Sequence, residues 1–315
     1  MLCFRGSADC CVSPPPATAI SRRPAMSLSS TPNAPSQPHT PRASSQPVRL
    51  AFIGGGNMAS AIVGGLLSQG WPTSHIEVVE PWAEQRERLA GTYGLSPLAE
   101  AGQALADCEL VVWAVKPQSL REAATACRPW TRDALHLSVA AGIRSDSLAE
   151  WLDSPRIVRA MPNTPALVGQ GMTGLCARPG VTSAERQLVE AVLTPTGQLL
   201  WLAHESQLDA VTALSGSGPA YVFYFIEAMV QAGTDLGLPP DAARQLALGT
   251  FVGASALARA SDQPPDVLRQ QVTSKGGTTH AAISHLEQTQ VKRHFVQAMH
   301  AAAARAKELG DEFGR

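Results

Sequence analysis

Net charge, paired cysteines and long apolar runs are all scarce in this sequence, and each scarcity excludes a class of protein. The 315 residues carry a formal net charge of −1, so no basic excess favours nucleic acid or a membrane surface as partner. None of the six cysteines forms a C-x-x-C pair, which argues against a zinc site or a disulfide framework and fits a reducing, cytoplasmic location. No run approaches the roughly 18 apolar residues of a membrane-spanning helix. With 44% hydrophobic residues, the chain suits about two globular domains.

The first 47 residues contain a single acid and almost no apolar periodicity. Asp9 is their only acid, against four arginines and many proline, serine and threonine residues. This composition predicts a disordered tail that is dispensable or that precedes the true start of translation, for which Met26 is a candidate. A transit peptide has a similar composition and is the alternative. We therefore exclude residues 1 to 47 from the predicted fold.

A strand, a glycine cluster and a helix follow in the stretch VRLAFIGGGNMASAIVGGLLSQG. The pattern is G-x-G-x-x-A, at Gly54, Gly56 and Ala59. In this pattern the first glycine allows a tight turn, the second lets the backbone approach a pyrophosphate, and the small third residue lets helix and strand pack closely. The pyrophosphate then lies on the helix N-terminus. The next predicted strand, IEVVE, ends in Glu80, 21 residues after Ala59, where an acid binds a ribose 2′-hydroxyl. The spacing predicts a dinucleotide site; a glycine-rich turn that only packs is the alternative.

Strand and helix patterns then alternate as far as residue 204. Predicted strands cover residues 109 to 115, 134 to 142 and 156 to 163, with helices between them. The alternation predicts an α/β fold, a doubly wound Rossmann sheet over residues 48 to 204. The later stretches GMTGLCARPG and QLLWLA are expected to extend this sheet through an edge pair that is not parallel. Ligands of such sheets bind beyond the carboxyl ends of the strands, where AVKPQ, VAAG and MPNTPA lie.

From about residue 205 the pattern becomes purely helical. Long helices are predicted at residues 241 to 260 and 291 to 309, and LALGTFVGASALA is apolar over much of its circumference. Such helices need burial on more than one side, which a region of about 110 residues does not offer alone. We therefore predict an all-α dimerisation domain over residues 205 to 315, interlocked with a second copy. A compact monomeric bundle is the alternative.

The stretch VTSKGGTTHAA, residues 272 to 282, separates two of these helices. It is not a Walker loop, because Lys275 precedes the glycines and no strand comes before it. The N–H groups of Gly277, Thr278 and Thr279 would point outward from a helix N-terminus, which predicts an anion site. An ordinary helix connection with a threonine N-cap is the alternative.

Six stretches together resemble the motifs of the pyrroline-5-carboxylate reductase family, within the 6-phosphogluconate-dehydrogenase-like superfamily. They are IGGGNMASAIVGGL, WAVKPQ, VAAGI, RAMPNTPALVGQGMT, DAVTALSGSGPAYVFYFIEAM and VTSKGGTTHAAI. The resemblance covers the chain from about Val48 almost to the C-terminus. It implies hydride transfer from NADPH or NADH to a cyclic imine, yielding proline in the last step of proline biosynthesis. It also implies a homodimer interlocked through the C-terminal helices, often assembled into a decamer of five dimers.

The resemblance also implies the site residues. The substrate carboxylate would lie on Ser274, Gly277 and Thr278, and Thr279 would hold the imine nitrogen as the candidate catalytic residue. Because a protonated C=N bond polarises its own carbon, the protein would mainly supply position, and the route of the proton stays open. The implied cofactor contacts lie in the glycine loop and at the ends of three strands. They are Gly54, Gly56, Asn57, Met58, Glu80, Ala114, Val115, Lys116, Pro117 and Ala141. From the residues alone, Lys116 is either a ligand contact or a solvated loop residue.

Three positions depart from the family pattern. Lys275 stands where many members have proline, and Ala101 where many have an asparagine that contacts the cofactor. Glu80 stands where NADPH-preferring members carry small polar or basic residues, and its charge would repel a 2′-phosphate. Arg86 and Arg88 lie close enough along the next helix to offset part of that repulsion. We therefore expect NADH to serve at least as well as NADPH.

Two other functions share parts of this pattern. A β-hydroxyacid dehydrogenase needs a lysine on an early helix of its second domain, but the four lysines include none on the helix after SGSGPA. A dinucleotide-binding sensor would not need Ser274, Thr278 and Thr279 together at one helix start, and a reductase assay separates it from an enzyme. His280 and His285 have no carboxylate or cysteine at ligand spacing, so no metal site is predicted.

Overall fold

One seven-stranded sheet dominates the first half of the chain, in a computed structural model that describes residues 48 to 314. The predicted tail of residues 1 to 47 lies outside the described residues. The strand order is β2-β1-β3-β4-β5-β6-β7. The strands are β1 Leu50–Ile53, β2 Ile76–Val79, β3 Leu110–Trp113, β4 Leu135–Ser138, β5 Ile157–Met161, β6 Gly171–Ala177 and β7 Gly197–Trp201.

Helices cover both faces of this sheet. Alternate residues of β1 show the arrangement, because Leu50 and Phe52 pack into one core cluster while Ala51 and Ile53 pack into the other. Continuous apolar strands are expected where both faces of a parallel sheet are buried. The helices of this half are α1 Asn57–Ser68, α2 Ala83–Tyr93, α3 Pro117–Thr131, α4 Ser145–Leu152 and α5 Ser183–Leu193.

The strand directions confirm the predicted doubly wound sheet and correct its edge. β1 to β5 are all parallel. β6 is antiparallel to β5, and β7 is parallel to β6, so the edge pair itself is parallel and the antiparallel junction lies one strand further in. The prediction of a non-parallel edge pair was wrong on this point. The reason is the length of the connections, since one short turn at Thr164–Val168 links β5 to β6, whereas α5 provides a crossover from β6 to β7.

The second half is helical, and no strand follows β7 among the described residues. The predicted interruption between the first two helices is a wide turn, Thr212–Gly216, in which the Ser217 N–H donates to the Thr212 carbonyl five residues earlier at 2.8 Å. The helices are α6 Gln207–Val211, α7 Gly218–Asp235, α8 Pro240–Ala260, α9 Pro265–Gln271, α10 Thr278–Gln288 and α11 Val291–Phe313.

Helix α11 extends one turn beyond its predicted end at Leu309. The sequence placed Gly310 outside the helix, but the structure places it inside, where it is buried against Gly142. A Cβ at Gly310 would lie 2.6 Å from the Gly142 carbonyl oxygen, so glycine here serves a close backbone contact rather than a helix end.

Much of the apolar surface of the helical half is exposed in the single chain. α7, α9 and α10 have no buried residue, and α8 buries only Ala243 and Ala247. Leu236 and Val252 are 85% and 70% exposed. A compact monomeric bundle would bury such side chains. The exposed surface therefore favours the predicted dimerisation domain, in which a partner covers it.

The described residues belong to one compact unit. The predicted boundary between residues 204 and 205 therefore stays a prediction. Among residues 48 to 314, none of the helices has the length and apolar character needed to cross a membrane.

Candidate active site

The loop between β1 and α1 is shaped by its glycines. Gly54 has a φ of +96°, and its N–H donates to the Val79 carbonyl at 2.8 Å. A Cβ at Gly54 would lie 2.8 Å from the Ala114 carbonyl oxygen, so only glycine fits between the ends of β2 and β3. Gly56 precedes α1, and no atom lies within 4 Å of the place where its Cβ would be. This open backbone at a helix N-terminus can accept a pyrophosphate.

Glu80 turns its carboxylate toward the same loop. The two carboxylate oxygens accept hydrogen bonds from the Gly55 N–H at 2.8 Å and the Trp82 N–H at 3.0 Å. Gln85 of α2 donates to the Gly55 carbonyl at 2.5 Å, so both peptide groups of Gly55 are bound by side chains. Nothing in the sequence distinguished Gln85, because its role depends on how α2 packs against the loop.

The two arginines of α2 that the sequence proposed near Glu80 lie in different places. Arg86 folds back over the turn after β2, where its guanidinium donates to the Glu80 and Pro81 carbonyls at 2.9 and 2.6 Å. Arg88 lines a separate small cavity of about 180 Å³ together with Asn57. Only Arg86 therefore places a positive charge on the turn next to Glu80.

Four further predicted cofactor residues follow β3. Ala114 and Val115 are half-buried and lie behind Gly54. Lys116 is exposed, and Pro117 is the first residue of α3, a position where its fixed φ and missing N–H are tolerated. Lys116 is thus free to contact a ligand above the sheet edge, and its exposure equally suits a solvated loop residue.

The remaining predicted cofactor residues occupy the first turn of α1 and the segment after β4. Asn57 is exposed, Met58 is half-buried, and Ala141 is half-buried beside the buried Gly142. Because β1 to β4 are parallel, their carboxyl ends lie along one edge of the sheet, the edge at which dinucleotides bind in this architecture. The structure brings the predicted cofactor residues together along that edge.

The predicted substrate loop connects α9 to α10. The Gly277 N–H donates to the Ser274 carbonyl at 3.0 Å, and a Cβ at Gly277 would lie 2.7 Å from Ser274 Oγ. The Ser274 hydroxyl therefore lies directly at the start of α10. The first bond of α10 joins the Ala281 N–H to the Gly277 carbonyl at 3.1 Å. The N–H groups of Thr278 and Thr279 lie in the first turn, where helical N–H groups have no intrahelical acceptor.

Within one chain, the surroundings of this loop come from the helical half. Arg269 of α9 pairs with Glu287 of α10 at 3.1 Å, and Gln271 donates to Gln263 at 2.6 Å. A cavity of about 930 Å³ lies beside α10, and a second of about 480 Å³ lies beside α7. The larger cavity is lined by residues of α7, α9, α10 and α11 and of the turn before α11. The structure thus places Ser274, Gly277, Thr278 and Thr279 next to one another at the start of α10.

Asn163, in the MPN stretch after β5, joins segments that the sequence treated separately. Its amide N–H₂ donates to the Ser215 carbonyl in the wide turn at 3.0 Å, and its side-chain oxygen accepts from the Met172 N–H of β6 at 2.9 Å. Asn163 also borders an apolar cavity that Tyr221 and Phe295 help to line. Wide helical turns of this kind frequently lie at functional sites. No local pattern reveals this link, because Asn163 and Ser215 are 52 residues apart.

Glu205, the first residue of the helical half, lies against the N-terminus of α4. Its carboxylate accepts from Arg159 Nη1 at 2.7 Å, from the Ser145 N–H at 2.6 Å and from the Ser145 hydroxyl. Burial on its own raises the pKa of Glu205, but the hydrogen bonds from Ser145 and Arg159 outweigh it, so the pKa lies below the ordinary value. The Glu205 carboxylate is therefore ionised at neutral pH and neutralises the buried Arg159.

The cysteines and potential metal ligands add no reactive centre in residues 48 to 314. Burial raises the pKa of Cys108 to about 11 and that of Cys127 to about 12, so both thiols stay protonated at neutral pH. Groups of three or more histidine, cysteine, aspartate or glutamate residues suited to a metal ion are absent from this part of the chain. The groups that can contact a substrate or cofactor at the predicted site are backbone N–H groups, hydroxyls and Lys116.

Comparison with known proteins gives a match for each half of the chain. Residues 205–309 match the family model described as pyrroline-5-carboxylate reductase dimerisation, and residues 49–142 match one described as NADP oxidoreductase, coenzyme F420-dependent. A pyrroline-5-carboxylate reductase of Pseudomonas aeruginosa is 44% identical over 269 residues, which cover 85% of this chain and 98% of the relative.

Two solved structures extend the comparison to three dimensions. The pyrroline-5-carboxylate reductase of Coxiella burnetii has a TM-score of 0.76 and 36% identity, covering 84% of this chain and 99% of its own. The pyrroline carboxylate reductase of Plasmodium falciparum, solved with NADP bound, has a TM-score of 0.76 and 29% identity, covering 84% of this chain and 98% of its own.

These matches confirm the resemblance carried by the six sequence stretches. The sheet half has the architecture of an NAD(P)H-dependent oxidoreductase, and the helical half supports assembly into an oligomer. The chain belongs to the pyrroline-5-carboxylate reductase family.

Proposed function

We propose that this protein reduces pyrroline-5-carboxylate to proline, with NADPH or NADH as the hydride donor. The observation that carries the proposal is the start of α10, where the Ser274 hydroxyl lies beside the first-turn N–H groups. This arrangement suits the carboxylate of a small substrate. It occurs in a chain whose other half presents a dinucleotide loop.

The substrate groups have separate roles in this proposal. Ser274 and the N–H groups of Gly277 and Thr278 bind the carboxylate, while the Thr279 hydroxyl holds the ring nitrogen. When bound, the nicotinamide would supply a hydride to the imine carbon, and the C=N electron pair would move to the nitrogen, which is already protonated. The protein therefore contributes chiefly orientation and exclusion of water, which are worth several kcal/mol when both reactants are held in line.

The carboxyl ends of β1 to β4 would hold the cofactor. Gly54, Gly56, Asn57 and Met58 would bind the pyrophosphate at the α1 N-terminus, and Glu80 would accept hydrogen bonds from the adenosine ribose. The second set of contacts holds the nicotinamide side of the cofactor. It consists of Ala114, Val115, Lys116, Pro117 and Ala141.

Assembly completes the site. The apolar faces of α7 and α8 are covered by a second copy in an interlocked dimer, and the substrate loop of one chain faces the cofactor edge of its partner. This arrangement is supported by the exposure of those faces. A decamer of five dimers and a cytoplasmic location remain predictions from the resemblance and the composition.

A spectrophotometric assay tests the proposed function. The purified protein is given NADPH or NADH with pyrroline-5-carboxylate and, in parallel, with six-membered and carboxylate-free cyclic imines. We expect oxidation of the cofactor only with imines that carry the carboxylate, and proline as the product. Folded, oligomeric protein that is inactive with both nicotinamides would refute the proposal and favour a dinucleotide-binding sensor.

A further inference from the structure

The segment between β4 and α4, residues 139 to 144, and the first residue of α4 are contacted by the two ends of the helical half. At the start of that half, Glu205 binds Ser145, the residue that follows the segment, at 2.6 Å. At its end, the last turns of α11 contact Gly142 and Arg144. Ala141, a proposed nicotinamide contact, immediately precedes Gly142, the first of these contacted residues.

The burial of α11 is concentrated at its C-terminal end. The helix has 23 residues, yet Ala306 and Gly310 are its only buried positions. They are four residues apart and therefore lie on one face, one turn above the other. At about 1.5 Å per residue, α11 extends over roughly 35 Å, and only its last two turns are fixed firmly against the sheet half.

Two glycines allow the closest contact between α11 and the β4–α4 segment. Gly142 has a φ of +82°, and a Cβ there would lie 3.2 Å from the Gly310 nitrogen. A Cβ on Gly310 would lie 2.6 Å from the Gly142 oxygen. Both neighbouring atoms belong to the backbone, so a side chain at either position must push the two segments apart.

Polar and apolar contacts hold the same end of α11 in place. Arg144 pairs with Asp311 at 2.6 Å, and the Ser147 hydroxyl donates to the Gly314 carbonyl at 2.5 Å. Phe313 packs against the core cluster that α3 and α4 form under the sheet. The contact thus involves backbone, ion pair, hydrogen bond and core packing within nine consecutive residues, 306 to 314, at the end of α11.

We propose that this α11 terminus, residues 306 to 314, is a positioning element for the cofactor site. Gly310 and Asp311 act through Gly142 and Arg144 to set the position of Ala141, and with it the affinity for the nicotinamide cofactor. The inference rests on the proposed function, because that function assigns Ala141 to the cofactor. Helix α11 follows α10, the helix that begins at the substrate loop. The proposed contact therefore makes α11 a direct connection between α10 and the cofactor edge.

Gly310→Ala in the full-length protein is the direct test. The added methyl group must separate α11 from the Gly142 backbone, so the dissociation constant for NADPH, measured by its fluorescence without turnover, should rise about 3- to 30-fold. The KM for NADPH should rise with it, while the KM for pyrroline-5-carboxylate stays within about twofold. Gly91→Ala is the matched control, because it gives the same helix-propensity gain where no atom lies within 4 Å of the new Cβ.

The possible outcomes separate this inference from the proposed function. If the parent protein is inactive but Gly310→Ala still weakens NADPH binding, the proposed reductase function is refuted and the positioning role is supported. An active parent whose affinity for NADPH is the same in both glycine variants would overturn the positioning role. So would an equal rise in both KM values, which indicates general loosening. If Gly310→Ala does not fold, Asp311→Ala decides, with at least a twofold weaker NADPH affinity expected and an unchanged one overturning the proposal.

Discussion

Thr279 is the second residue of α10 and is half-buried, with its N–H in the first turn of the helix. A threonine hydroxyl is too weak an acid to protonate an amine product at neutral pH, so its value to the reaction is a hydrogen bond that fixes the ring nitrogen. Such a contact acts on turnover through orientation, whereas Ser274 acts on the carboxylate and therefore on binding.

Thr279→Ala should lower turnover about 10- to 1,000-fold, the range expected for removing one oriented polar contact in a closed site. Ser274→Ala should mainly raise the KM for the imine. Thr289→Ala is the control, because Thr289 lies at the other end of α10 and its hydroxyl bonds to the His285 carbonyl at 2.8 Å. Steady-state kinetics of the three variants check the assignment. Turnover of Thr279→Ala within twofold of the parent would move the nitrogen contact elsewhere.

Glu80 determines the charge next to the proposed adenosine ribose. A carboxylate and a 2′-phosphate about 4 Å apart repel by roughly 1 kcal/mol in water and up to about 4 kcal/mol near a protein surface. Arg86, bonded to the Glu80 carbonyl at 2.9 Å, offsets part of this repulsion. We therefore still expect NADH to serve at least as well as NADPH.

Glu80→Gln separates the charge of this side chain from its structural bond. The amide oxygen can still accept from the Gly55 N–H, so the glycine loop should keep its shape, while the bond from the Trp82 N–H is lost because an amide N–H₂ cannot accept it. The ratio of kcat/KM for NADPH to that for NADH should rise about tenfold, because each 1.4 kcal/mol of relieved repulsion is a factor of ten. Glu80→Ser should give the same direction with weaker binding of both cofactors. A parent enzyme that already prefers NADPH by a hundredfold would contradict the expectation.

His136 is a buried histidine of β4 whose pKa is strongly lowered, and it lies in the sheet rather than in the site. Its Nδ1 accepts from Trp113 Nε1 at 3.3 Å, so the neutral ring carries its proton on Nε2. Burial, with a smaller contribution from the Arg156 cation, lowers the pKa of His136 from 6.5 to about 4. Protonation therefore favours the unfolded chain between these two values.

The free energy of unfolding should fall as the pH is lowered from about 6.5 to 4. In that window the unfolded chain binds a proton at this position and the folded chain does not. The free energy of unfolding therefore falls by up to about 1.4 kcal/mol per pH unit and by roughly 3 kcal/mol in all. His136→Gln keeps an acceptor for Trp113 and should flatten the slope. Urea unfolding at pH 7, 6 and 5, at one protein concentration, measures it, with the exposed His285→Gln as control. Parallel slopes in parent and His136→Gln would contradict the assignment.

At the scale of elements, Glu205, the first residue of the helical half, links that half to α4 and β5. A carboxylate at the N-terminus of α4 is favoured by the helix dipole, and it also compensates Arg159, whose side chain is only 8% exposed. Breaking one side of a buried pair costs more than deleting the pair, because it leaves a charge without compensation.

Glu205→Gln should therefore destabilise the protein by about 2 to 4 kcal/mol at pH 7. Adding Arg159→Met to Glu205→Gln should recover more than half of the loss, since the unpaired cation is then removed. Thermal unfolding of the two single variants and the double variant gives the coupling. Additive losses would show that the two side chains do not depend on each other. Because the pKa of Glu205 is lowered, the difference from the parent should shrink as the pH falls below about 4.5.

At the scale of the whole molecule, the exposed apolar faces of α7 and α8 require a partner. Leu246 and Val252 of α8 are 58% and 70% exposed in the single chain. Covering such residues gains about 25 cal/mol for each Å² of apolar surface removed from water, and dimer interfaces made of such faces resemble a domain core.

Leu246→Glu should abolish assembly and, with it, reductase activity, because the proposed site takes its substrate loop and cofactor edge from different chains. Leu200→Glu is the matched control, since Leu200 is 48% exposed on β7, outside the helical half. Light scattering and the imine assay measure both properties. An active monomer in either the parent or the Leu246→Glu variant would contradict the shared site.

The protein truncated to begin at Val48 should remain oligomeric and active.

The sequence by itself determined the order and type of the elements and the two loops that carry the chemistry. Local patterns suffice for these features: apolar strands before glycines, helical periodicity after residue 205, and small or hydroxyl residues at the start of α10. Most strand and helix positions agree with the structure. The family followed from the same stretches, because six of them occur in one order along the chain.

Only the tertiary structure decided the features that depend on contacts between distant residues. Gly310 lies within α11 because the Gly142 backbone approaches it, although the sequence ended that helix at Leu309. β6 reverses direction because its connection to β5 is short, and Asn163 reaches a turn 52 residues away. Patterns along a sequence record which face of an element is buried. They do not record which backbone meets which, and that depends on how the elements pack.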